Sequence, residues 1–206
     1  MSSQEFVIHK EKEKLAKTKH VSEEVGLDVD ETLAKNYWAS FRTPYALELL
    51  LKIKSKREKI NRAYNQKTMN TMLLIAGVYR DINKLEDSAH YYEQIQKLDE
   101  QNLPANDPRL TRDEGNLAMT DYLRGDSETN ETKRKQYFEN GLEHIIRAQS
   151  MWHAETEPDM AVLTNLFFLK YLTCRELGDD KTSKQAYGEM KYLEKKLNRT
   201  VIPPRT

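Results

Sequence analysis

One stretch constrains this chain more than any other: residues 69–101, MNTMLLIAGVYRDINKLEDSAHYYEQIQKLDEQ. Its first half places Met72, Ile75, Ala76 and Tyr79 three or four residues apart, and its second half does the same with Leu85, Ser88, Ala89, Tyr92 and Ile95. That is the rhythm of two short helices, each burying one stripe. Ala76, Ser88 and Ala89 fall where the helices must approach closely, and Tyr79 and Tyr92 where they wedge apart. Asn83 sits between them, suited to end one helix and start the next.

The same pattern extends in both directions. Upstream, Leu33, Tyr37, Trp38 and Phe41 precede Thr43-Pro44, which reads as a helix start. Ala46, Leu49, Leu50, Ile53, Ile60 and Tyr64 then form a second stripe. Downstream, Asp107-Pro108 opens a helix that carries Leu117 and Ala118 and is expected to end at Gly125. An inserted turn, DSETNETK, leads to a partner helix with Phe138, Leu142, Ile145, Ala148 and Trp152 on one face. Thr156-Glu-Pro-Asp159 opens MAVLTNLFFLKYLTCREL, Gly178 closes it, and KTSKQAYGEMKYLEKKL ends the series. Strand signals are nearly absent. Residues 1–29 carry little apolar periodicity and are expected to be a disordered or loosely docked arm. Residues 30–197 form the repeat domain, and 198–206 an extended tail.

The 69–101 unit resembles a tetratricopeptide repeat (TPR). Asn83, Gly125 and Gly178 mark periods of 42 and then 53 residues, longer than the standard repeat of about 34. The long period and linkers such as LPANDPRLTRDEGNLA resemble the expanded repeat of kinesin light chains and related bacterial regulators. The resemblance covers roughly residues 65–197, with 31–64 as a weaker member. It implies an all-α fold, a right-handed α-α superhelix of about three to four TPR-like hairpins. In that family the first helix of each repeat lines a concave face that grips a peptide or a partner helix. By register the face would carry Asn70, Leu73, Gly77 and Arg80, then Arg112, Asn116, Met119 and Tyr122, and finally Asn165. Asparagine both donates to and accepts from a peptide backbone, and arginine forks onto carboxylates. Leu73 and Gly77 occupy places where chaperone-binding members carry lysine and asparagine, which disfavours a C-terminal chaperone tail as ligand.

Other chemistry finds no support in the residues. The five histidines show no metal spacing, Cys174 stands alone, and no Gly-rich phosphate loop occurs, so neither a cofactor nor an enzymatic activity is expected. Lysine and arginine balance aspartate and glutamate at 33 each, leaving no global field for nucleic acid. One local exception is the basic run Lys52, Lys54, Lys56, Arg57, Lys59, Arg62 and Lys67, a third reading as a nucleic-acid dock. No apolar run is long enough for membrane insertion, no secretory leader is evident, and the lone Cys174 suits a reducing, cytoplasmic setting. The expectation is therefore a non-catalytic adaptor for a protein or peptide partner. The alternative is a structural subunit, or a homo-oligomer, that packs through its ends, with Tyr187, Met190, Tyr192 and Leu193 on the last helix.

Overall fold

The computed structural model describes residues 3–16, 23–60, 64–154 and 159–197. Among them the elements are α1 (Ser3–Ala16), α2 (Glu23–Ala39), α3 (Thr43–Ile60), α4 (Gln66–Asp81), α5 (Leu85–Asn102), α6 (Pro108–Ser127), α7 (Glu131–Ala154), α8 (Met160–Glu176) and α9 (Asp180–Leu197). No strand occurs among the described residues, and none of the described helices is long and apolar enough to cross a membrane. Arg62, Thr156 and the tail expected over 198–206 lie outside the described residues.

Local chemistry sets the helix ends. Asn65 opens α4 by accepting from the Lys67 and Thr68 amides at 2.9 and 3.4 Å. Asp107 and Asp159 cap α6 and α8 through the Arg109 and Ala161 amides. Asn83 and Gly178 turn the chain with φ of 59° and 77°, the left-handed conformation that ends helices cleanly. Phe41 does the same at 58°, where an ordinary side chain costs about 1 kcal/mol or more.

A single register runs through these hairpins. Ala34, Ala76 and Ala118 on first helices are spaced 42 residues apart, and Tyr171 follows after 53. Ala46, Ser88, Gly141 and Ser183 on second helices follow at 42, 53 and 42. These are crossing points. Ser88 Oγ donates to the Ala76 carbonyl at 2.9 Å and Ser183 Oγ to the Tyr171 carbonyl at 3.1 Å. A Cβ on Gly141 would stand 3.3 Å from the Ala118 carbonyl oxygen. Phe41, Asn83, Gly125 and Gly178 share one register place, yet only Gly125 is not a turn. It lies inside α6, buried under the Phe138 ring, where an added Cβ would come within 2.7–2.9 Å of three ring carbons. The expected helix end at Gly125 is thus corrected: the inserted residues lengthen both α6 and α7 before the chain turns.

The chain divides into two compact units, Met1–Tyr91 and Tyr92–Thr206. In the first, Ala34, Leu50, Ile75 and Val78 form a buried cluster flanked by Trp38, Leu47 and Tyr79. Here α2 begins at Glu23 and buries Leu27, ahead of the boundary expected at residue 30. Helix α1 packs on α2, with Ile8 buried and Lys12 paired with Asp30, and Glu5 pairs with Arg42 in the turn after α2. In the second unit, Ala118, Tyr122, Phe138, Ile145 and Leu169 form one cluster and Trp152, Leu163 and Leu193 another.

Candidate partner-binding face

The first helices carry the residues that the register nominates, and the two units treat them differently. In the first unit Asn70 is exposed, with Gln66 Nε2 donating to its Oδ1 at 3.0 Å, while Leu73 and Arg80 are half-buried. Gly77 is buried. Trp38 of α2 lies across it, so that a Cβ there would stand 2.7 Å from the indole Cη2. The indole Nε1 donates to Asp81 at 2.9 Å, locking the ring over the gap. The space beside Gly77 is filled by an aromatic side chain from the preceding first helix.

The basic run is also altered by the fold. Arg57 turns inward and is buried, paired with Glu31, with Asp28 at 2.6 Å and with Glu24 at 3.3 Å. It also donates to Thr71 Oγ1 at 2.6 Å. Lys67 pairs with Asp28 at 2.7 Å, Lys54 with Glu58 at 2.6 Å and Lys52 with Glu48 at 2.5 Å. Arg57 and Lys67 thus tie α3 and α4 to α2, Lys52 and Lys54 pair within α3, and Lys56 and Lys59 are exposed.

In the second unit Tyr122 belongs to the core, its ring 5.7 Å from Phe138, and burial raises its phenol pKa. Arg112 is engaged within the chain: its guanidinium forks onto Asp113 Oδ1 at 2.7 and 3.0 Å and reaches Asp99 at 3.1 Å. Asn116 and Met119 are half-buried and Asn165 is exposed. Met119 and Leu123 of α6 border the same buried cluster as Leu172 of α8. Phe168, three residues beyond Asn165, is half-buried. Met119, Leu123, Phe168 and Leu172 therefore leave apolar surface in water, with the amides of Asn116 and Asn165 on the same two helices.

Sequence reading missed Leu123, Phe168 and Leu172. The signal was present: Met160–Leu169 contains no charged residue, more apolar than a helix covered on one stripe requires. It also missed the Glu114 network. Buried Glu114 accepts from Gln96 Nε2 at 2.7 Å and His144 Nδ1 at 2.6 Å, with Arg147 at 3.2 Å. Nearby Asp121 is raised above the usual carboxylate range by burial. Among the described residues no group of histidine, cysteine and carboxylate side chains is arranged to hold a metal ion. Cys174 is buried and its thiol pKa is raised by burial, which describes an unreactive core thiol.

No family model and no curated protein matches this chain. Solved structures do. BtubC (BKLC) from P. vanneervenii aligns over 98% of this chain and 76% of its own, with a TM-score of 0.79 at 15% identity. A Podosopora anserina protein assigned as a kinesin light chain with nearly identical TPR-like repeats aligns over 95% of this chain and 88% of its own, with a TM-score of 0.71 at 15% identity. A single-substitution form of that protein aligns over 95% of this chain and 87% of its own, with a TM-score of 0.72 at 14% identity. The chain has the all-α fold of TPR-like repeats.

Proposed function

We propose that this protein is a non-catalytic adaptor whose second unit captures a partner segment on the α6–α8 face. The observation that carries the reading is half-exposed apolar surface on Met119, Leu123, Phe168 and Leu172 beside the amides of Asn116 and Asn165. Apolar side chains that could reach the core yet remain partly wet gain their full burial only when something covers them. The asparagines then satisfy backbone groups of the covering segment. Arg112 and Tyr122 serve the fold and position this face, and Asn70, Leu73 and Arg80 play at most an accessory part. A buried, unreactive Cys174 accords with a reducing, cytoplasmic setting.

The alternative of assembly through the chain's last helix is weaker. Met190 and Leu193 are buried within the hairpin, and only Tyr187 and Tyr192 stay exposed. At the register places where Ala89 and Leu142 or Gln96 and Gln149 stand on earlier second helices, α9 carries Lys184 and Lys191.

The test is affinity capture from the source organism's extract, with nuclease added, using wild type beside Phe168→Ser and Asn165→Ala. A partner held by wild type and lost by Phe168→Ser supports the face. Equal capture by all three proteins removes α8 from the site.

A further inference from the structure

The first unit carries an exposed aromatic tip that its own core does not use. Phe41, in the turn between α2 and α3, holds φ of 58°, at the register place that Asn83 and Gly178 take in later turns. Asparagine and glycine enter that left-handed conformation readily, and a phenylalanine enters it only at a steric cost. The monomer gains little in return. Phe41 is 82% exposed, more than any other large apolar residue described. Its surroundings are ordered and nearly uncharged. The Arg42 guanidinium lies over the rings of Tyr37 and Tyr45, 4.7 and 5.0 Å from their centroids, and those rings are 5.9 Å apart. Buried Glu5 of α1 pairs with the same guanidinium, while Tyr45 stays 57% exposed. Residues 37–45 contain one charged side chain, Arg42, where the equivalent segments 79–87 and 174–182 contain five each. Backbone strain spent on an exposed aromatic side chain marks a contact surface.

We propose that the α2–α3 tip is the interface of a two-fold dimer, in which Phe41 seats against Tyr45 of a second copy of this chain. A two-fold axis apposes a patch with itself, so the patch must offer both a knob and a surface that receives it. Phe41 is the knob. The Tyr37–Arg42–Tyr45 stack is the receiving surface, and its shape is set before contact, which lowers the entropy cost of association. Self-apposition also requires that the patch not repel its own image. The cation of the tip is already matched by Glu5, and no acidic side chain occurs among residues 37–45. Two copies therefore meet without like charges opposed. The same neutrality disfavours an acidic lipid surface, which draws in unmatched lysine and arginine. Burying the phenyl ring in the dimer offsets the strained backbone that carries it. This contact uses the first unit alone and does not depend on the α6–α8 reading.

The experiment is sedimentation equilibrium of the full chain over about 1–300 μM, with wild type beside Phe41→Asn and Tyr45→Ser. Phe41→Asn installs the residue that the Asn83 turn already uses, so its helicity and its melting at the lowest concentration should match or exceed wild type. The expected result is a concentration-dependent dimer in wild type whose dissociation constant rises about tenfold or more in Phe41→Asn. Tyr45→Ser should weaken the dimer in the same direction, and it gives the reading alone if Phe41→Asn does not fold. A wild type that stays monomeric throughout the range overturns the proposal, and so does a dimer that both variants keep. A monomeric wild type that pellets with phosphatidylcholine–phosphatidylserine vesicles, where Phe41→Asn does not, assigns the tip to a lipid surface instead.

Discussion

The α6–α7 and α8–α9 hairpins belong to the same unit and cross at the same register place, yet they are held in different ways. The first is long, and its buried Glu114 holds half-buried His144 and exposed Arg147 of the facing helix, alongside Phe138 seated on Gly125. The second is short, closed by Gly178, and joined at its crossing by one serine hydroxyl on a backbone carbonyl. Its first helix keeps apolar side chains partly in water. The polar network ties α6 to α7 in the hairpin that carries the insertion. The shorter hairpin turns at Gly178, and its α8 keeps Phe168 and Leu172 partly exposed.

The sharpest way to break the contrast uses Ile145 and Tyr187, which occupy one register place in the two hairpins. Ile145 is fully buried and Tyr187 is 44% exposed. Ile145→Ala should cost about 2–5 kcal/mol in denaturant melts, while Tyr187→Ala should stay within about 0.5 kcal/mol. Similar losses from both would mean that α9 is covered where the structure leaves it open. Next in size are the glycines. Gly125→Ala forces the Phe138 ring aside and should cost about 1–3 kcal/mol. Gly188→Ala in α9 has nothing within 4 Å of the new Cβ and should stabilise by about 0.5–1 kcal/mol. Opposite signs in urea titrations sustain the assignment of Gly125 to a packed helix, and equal signs refute it. Ser183→Ala should cost about 1 kcal/mol as the Tyr171 carbonyl forfeits its donor. An unchanged midpoint would remove that bond from the crossing.

What was legible in the sequence was local. Asn83 and Gly178 announce turns, Asp107 and Asp159 announce helix starts, and the spacing of Ala76 and Ala118 gives the repeat. Each depends on a few neighbouring residues whose conformational preferences are strong. The candidate site was only partly legible because its occupancy is decided at long range. Nothing near Gly77 indicates that Trp38 will fill its gap, and nothing near Arg112 indicates that Asp99 will claim its guanidinium. Helical periodicity says which side of a helix a residue occupies; it does not say how far a long side chain from another helix will reach. Arg57 shows the same limit. Its place on a basic run suggested solvent, and three carboxylates from α2 drew it inside.

The extended tip of the α6–α7 hairpin has a practical consequence. Its residues from Asp126 to Gln136 are almost all exposed, and the Gly141–Ala118 crossing lies below them. Length has therefore been added at the end of a lever without moving its fulcrum. A fluorophore or affinity handle attached near Thr129 would report on the protein in solution while leaving both the apolar cluster and the α8 surface as they are.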